Sequence, residues 1–427
     1  MCGQNQKKDM KYNKALVYAF ALLAMGCSAA QAQDKQTLDL LVSKGLITRA
    51  EADKVSKSSV AVVPAEKAAK KIKISGRLQG QYEFINTDQS YDNMSDNTSS
   101  FILRRIFLGA TADLGSGWKG EIIADFAAKD YIEKAFISKN FKNDYLNGDL
   151  DFGYKKINFS VEETTSSSKL ISIERSLATR YFAEGNNGRR LGVAARHVGI
   201  FYNGKILENI EGLKYGFSIT NAYNGGMTKA PANATNGLMY AANVLYSFKV
   251  DDAKFTTGLN LAYANSMNVA GEKGNVGGYY LGFNPYIKGS FKGFDFFGEF
   301  LAADMENGIY SAMKDNFVMG ANLGVEYKFD IGEFGKIAPV VRLSWLDTDG
   351  RGIKMSDGVR DADLGGVGKA FSRGKSIYVG LNWYIMGNTV KYQLGYEYAY
   401  LDGAAYGATD YGNSSASAVR TQIQILF

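Results

Sequence analysis

The most concentrated chemistry in this chain belongs to its cations. Between positions 155 and 196 stand Lys155, Lys156, Lys169, Arg175, Arg180, Arg189, Arg190 and Arg196, against Glu162, Glu163, Glu174 and Glu184 alone. A guanidinium offers parallel N–H donors that match the oxygens of phosphate or carboxylate, so such a segment suits attraction of oxyanions better than bond cleavage. Lys73 and Arg77 fall on the polar side of the first alternating stretch, and Lys119 on that of the third. The candidate anion-contacting set is therefore Lys73, Arg77, Lys119, Lys156, Lys169, Arg175, Arg180, Arg189 and Arg190. The competing reading of each is a brace, a cation paired with a nearby carboxylate.

Other chemistry has few carriers. His197 is the sole histidine, and no Gly-x-Ser-x-Gly setting surrounds a serine. Cys2 and Cys27 both lie in the first 32 residues. No catalytic residue, cofactor site or metal site is assigned on these residues. Residues 1–32 read as an export signal: Lys7, Lys8, Lys11 and Lys14, then the apolar run 15–26, then Ala30-Gln31-Ala32 before cleavage at Gln33. Met10 is an alternative start, and lipidation at Cys27 an alternative fate. Cleavage removes both thiols and leaves a net charge of +3, which points to no nucleic-acid partner.

The elements that must carry these cations are strands. The chain has 27 Tyr, 25 Phe and 48 Gly but only 4 Pro, a balance that suits sheets with tight turns. Residues 33–71 read as a short helical and linker segment. From Ile72 onward, period-two alternation takes over. In "IKISGRLQGQYEF", Ile72, Ile74, Leu78, Tyr82 and Phe84 share one face, and Lys73, Ser75, Arg77, Gln79, Gln81 and Glu83 the other. About sixteen such stretches follow, ending in "AVRTQIQILF". They are longer than ordinary strands, and mostly short turns alternate with long polar connections. The expectation is an all-β, transmembrane antiparallel barrel of about sixteen strands over residues 72–427, with both termini in the periplasm. Residues 160–190 would be the third external loop, long enough to fold inward as a constriction. Adjacent Arg104 and Arg105 should point to opposite faces, so that only one enters the lumen. Trp118, Trp345, Trp383, Tyr384, Tyr398 and Tyr400 read as membrane-interface girdles.

Several stretches resemble the phosphate-selective porin family, the type named for porins O and P, in the form found in Bacteroides-like bacteria. They are "SGRLQGQYEF", "FILRRIFLGATADL" with "WKGEIIADF", "FGYKKINFSVEETTSSSKLISIERS", "RRLGVAAR" and "VGLNWYIMGNTVKYQLGYEY". The likeness spans about residues 72–427. It implies a sixteen-stranded, often trimeric, anion-preferring channel in the outer membrane of a Gram-negative bacterium. Its partners would be outer-membrane lipid and small phosphate-like anions. By the same resemblance, the terminal Phe427 is the signal read by the outer-membrane assembly machinery. The family pattern places a proline after its Gly-x-Phe-Lys segment, where this chain has Asn158. A structural or adhesin barrel without conductance, and a barrel hydrolase built on His197, are the alternatives.

Overall fold

The structure, a computed structural model, describes residues 42–43, 48–49, 71–90, 94–128, 132–142, 147–184, 190–205, 210–222, 237–264, 279–306, 315–363, 371–408 and 412–427. The chain divides into two units, residues 1–68 and 69–427. The export signal at 1–32 lies outside the described residues. So does most of the 33–71 segment, of which Val42, Ser43 and Arg49 are helical.

The second unit is one antiparallel sheet closed on itself. Its strands are β1 (Lys71–Gln89), β2 (Met94–Gly115), β3 (Trp118–Asp125), β4 (Ile132–Lys142), β5 (Asn147–Lys156), β6 (Arg196–Lys205), β7 (Leu213–Asn221), β8 (Leu238–Val250), β9 (Ala253–Ala264), β10 (Tyr280–Phe291), β11 (Phe294–Glu306), β12 (Asp315–Tyr327), β13 (Phe329–Asp330), β14 (Lys336–Asp347), β15 (Phe371–Asn388), β16 (Val390–Ala404) and β17 (Asn413–Leu426). The two-residue β13 continues β12 along β14, so the barrel has sixteen staves. Closure comes from β1 against β17, in register from Arg77↔Leu426 to Gln89↔Ser414. No edge is left between the first and last staves, which is what a sheet surrounded by hydrocarbon requires.

Alternation decides which way each side chain faces. Along β17, Ser414, Ala416, Ala418, Arg420, Gln422 and Gln424 are buried, while Val419, Ile423 and Ile425 are exposed on the outside. Along β15 the outward series is Lys375, Ile377, Val379, Leu381 and Trp383. An apolar outer face over a polar inner one is the pattern of a lipid-facing barrel. At the turn rim the connections are tight. Phe291 and Phe294 pair across Lys292 and Gly293, both at positive φ, the geometry of the two-residue turn favoured in hairpins.

The loop rim differs. Residues 157–195, between β5 and β6, and 348–370, between β14 and β15, turn into the ring where they are described. Phe159, Leu177, Tyr181 and Phe182 of the first pack with Met355 and Val359 of the second and with Leu301, Leu346 and Leu401 of the wall. The buried apolar core of this protein therefore sits inside the barrel. Leu191, Val193 and Ala194 belong to this core, and β6 starts at Arg196.

Candidate functional site

The inward segment after β5 is tied to the wall at every turn. Asn158 donates to Asn203 Oδ1 and Asn243 Oδ1 at 2.7 and 2.8 Å, so an amide anchor stands where the resembling family has proline. Ser160, at φ 63°, caps helix α1 (Val161–Thr164) through its Oγ. Glu299 of β11 accepts from Val161 N at 2.7 Å and Ser160 Oγ at 3.0 Å, placing an anion where the helix exposes unpaired N–H groups. Farther along, Arg77 donates to Ser167 Oγ at 2.5 Å and Ser166 Oγ at 3.0 Å. Lys391 of β16 donates to the carbonyls of Ser168 and Leu170. Helix α2 (Leu177–Ala183) lies against β12, β14 and β15. Its seat is hollowed by two wall glycines. A Cβ at Gly320 would stand 2.8 Å from the Ala178 Cβ, and one at Gly374 2.9 Å from a Leu177 methyl.

The cations of this segment converge on its own carboxylates and on those of the second inward loop. Glu163 takes Lys156 and, at 2.8 Å, Arg175. Glu174 takes Arg104 at 2.6 Å and Arg360 at 2.9 Å. Glu184 is shared by Arg180, Arg190 and Arg360, and Arg190 also reaches Asp357 at 2.5 Å beside helix α3 (Met355–Gly358). Arg342 of β14, fully buried, joins Glu162 to Glu397, and Arg420 joins Glu397 to Glu83. Burial pushes the Glu174 carboxyl up, but Arg104, Arg360 and Arg105 outweigh it and hold the group well below the usual carboxylate range. Burial acts the same way on Glu184, and there Arg360, Arg180 and Arg190 prevail.

The other sequence candidates are placed differently. Lys169 is exposed, and its ammonium has no hydrogen-bond or ion-pair partner among the described residues. Lys73 and Lys119 are exposed near the turn rim, opposite Thr111 and Asp113 of β2. Arg189 lies outside the described residues. Arg104 and Arg105 both point inward, contrary to the alternation argument. The ladder slips between Gln79 and Gly80, so Arg104 is the extra residue of a β-bulge. Arg105 then donates to Gln79 at 2.9 Å while Arg104 grips Glu174. Tyr384 also departs from the girdle expectation. It is buried in the lumen and its hydroxyl bonds Glu326, whereas Trp118, Trp345, Trp383 and Tyr398 do face outward. His197 is buried, and its ring nitrogens face the carbonyls of Asn221 and Gly192 at 3.0 and 3.1 Å, with no hydroxyl among these partners.

One set of cations escaped the sequence reading. Lys205, Lys214, Lys249, Lys254 and Lys288 stand on the inner face of β6 to β10, one per stave, close to the turn rim. Lys205 is directly opposite Lys214, and Lys249 opposite Lys254. No carboxylate pairs with any of them among the described residues. Two cavities under the inward loop bring four of them together. One of about 470 Å³ is lined by Lys205, Lys214 and Lys288 with Asn158 and Thr164. The other, about 330 Å³, is lined by Lys169, Lys254 and Lys288. Of the acids lining these cavities, Asp295 is paired with Lys328 and Glu162 with Arg342, and Asp149 accepts from Asn140. Like charges facing across a sheet are costly, so their repetition here marks a demand other than stability. The signal was present, a lysine near the turn end of five successive polar faces, but it is spread over 84 positions.

The comparisons bear on this geometry. Residues 72–212 match the family described as phosphate-selective porin O and P. Over those residues, about a third of the chain, the sequence is similar to that family. No curated protein matches by sequence. Among solved structures, OprB of Pseudomonas putida superposes with a TM-score of 0.57 at 12% identity, covering 85% of this chain and 95% of that one. The anion-selective porin from Comamonas acidovorans gives 0.53 at 13%, covering 84% and 99%. The outer membrane channel DcaP of Acinetobacter baumannii gives 0.53 at 12%, covering 86% and 100%. At these identities the likeness is one of fold: the closed porin barrel. The family match over residues 72–212 and the barrel fold together support an outer-membrane channel for small solutes.

Proposed function

We propose that this porin is a passive, anion-preferring channel that admits small oxyanions such as phosphate. Its preference is set mainly by the lysine arc of β6 to β10 with Lys169. The observation that carries this is the contrast in pairing: Lys156 at the end of β5 and the inward-loop residues Arg175, Arg180 and Arg190 are held by carboxylates, and among the described residues no carboxylate pairs with the arc. An unpaired cation in a narrow, partly desolvated passage raises the local concentration of anions, whereas a paired one mostly braces the wall. The inward loop acts as the constriction. Lys73, Arg77 and Lys119 line the approach from the turn rim, and Arg189 remains a candidate at the loop. The chain is exported by residues 1–32 and works as a homotrimer in outer-membrane lipid after delivery by the assembly machinery, without catalysis.

The test is the reversal potential of purified protein in a planar bilayer under a salt gradient. Replacing Lys205, Lys214, Lys254 and Lys288 together by Gln should move it most of the way toward zero. Replacing Arg175 and Arg180 should move it far less. No conductance, a cation preference in the unaltered protein, or the reverse ranking of the two variants would sink the proposal. Block of chloride current by added phosphate would show that phosphate binds.

A further inference from the structure

The outward wall carries a second feature that transport does not use. Across β12, β14, β15 and β16 there is a hollow of about 480 Å³ on the lipid-facing side. Its residues fall in two rows. Ala321, Trp345, Lys375 and Tyr400 are directly opposite one another from strand to strand. Two residues farther along each strand, roughly 7 Å toward the barrel's middle, run Leu323, Leu343, Ile377 and Tyr398. The hollow exists because small Ala321 stands opposite the indole of Trp345.

Lys375 is the anomaly. It is exposed on the face that otherwise presents Ile377, Val379 and Leu381 to lipid. Its ammonium lies 5.1 Å from the Tyr400 ring centre, and no carboxylate pairs with it among the described residues. Arg373, the outward cation one step nearer the rim, is instead paired with Asp402 at 2.9 Å. A lone charge on a lipid-facing strand is unfavourable unless its environment supplies a counter-charge. The rim row of Asp347, Arg373 and Asp402 keeps an anionic group from sitting higher. The ammonium and the Trp345 and Tyr400 donors form a polar shelf, and the apolar row below continues into the acyl region.

We propose that this hollow binds one anionic lipid, its phosphate at Lys375 and one acyl chain along Leu343 and Ile377. A free phosphate would lack the apolar row, and a neutral lipid would leave Lys375 unpaired.

The test is native mass spectrometry of the protein released from nanodiscs of phosphatidylglycerol, of phosphatidylcholine with the same chains, or of phosphatidylcholine with inorganic phosphate added. The protein should retain phosphatidylglycerol selectively. Lys375→Gln should lower that retention about fivefold, the effect of one lysine at a membrane surface. Lys375→Arg should restore it, and Ala321→Trp, which fills the hollow, should abolish it. None of these changes should alter the reversal potential, because the hollow is outside the lumen. Equal retention of both lipids, or retention unaffected by Lys375→Gln, overturns the proposal. So does a shift in oligomeric state without a lipid effect, which would make this face a contact between copies.

Discussion

Glu174 is the point at which the two inward loops and the wall are joined, so its charge is the most informative one to remove. Its carboxylate takes Arg104 through Nε at 2.6 Å and Nη2 at 3.1 Å, and Arg360 through Nε at 2.9 Å, and it is almost fully buried. Glu174→Gln keeps the shape but deletes the charge, and aims an amide at a guanidinium. Breaking a buried pair by removing one partner costs about 3–5 kcal/mol. Both arginines retain about a fifth of their exposure, and Arg360 keeps Glu184, so the lower end, about 3 kcal/mol, applies. The barrel strands should survive, because their ladder does not pass through Glu174. The loss should appear locally, as faster amide exchange over 160–183 and 350–362 with strand protection unchanged. At the same time the lumen gains one positive charge through the release of Arg104. Bilayer recordings should therefore show noisier openings together with a stronger anion preference. A variant with unaltered loop exchange, or with weakened anion preference, would refute the view that these pairs are braces whose positive partners are masked.

Two further outcomes follow from the same geometry. Glu174 and Glu184 are held below their ordinary values, so their contribution is complete above about pH 4.3, the unfolded value, and is lost as pH falls through the lower folded values. Loop exchange and current noise should be flat from pH 7 to 5 and rise below about pH 4; a rise between pH 7 and 6 would contradict this. At the seam, Gly76 and Phe427 exchange backbone hydrogen bonds at 2.6 and 3.2 Å, and a Cβ at Gly76 would fall 2.2 Å from the Phe427 ring. Gly76→Val and deletion of Phe427 should each lower the yield of assembled barrel without changing conductance per pore, and the double change should cost little more than the deletion; additive losses would show that the two residues act separately.

Where alternation is unbroken, as in "VKYQLGYEYAY" and "AVRTQIQILF", the sequence discloses which way every side chain faces, because a strand has no other period available. Each departure has a non-local cause. Arg104 and Arg105 share the lumen because one residue is extra relative to β1, and a bulge is a property of two strands in register. Leu191, Val193 and Ala194 look like the start of a stave because an interior loop core and a lipid face ask for the same apolar side chains. Charge is the sharpest case. Eight cations against four anions between 155 and 196 read as a basic constriction open to anions, but Asp357 arrives from 167 residues away and closes on Arg190, and Arg342 and Arg360 arrive to claim the remaining glutamates. Conversely, the lysines of β6 to β10 look like scattered surface charge until the barrel closes and places them on one inner arc, where no carboxylate among the described residues pairs with them. Composition counts charges, whereas a channel's preference depends on which of them are left unpaired where the solute passes, and that is decided by the fold.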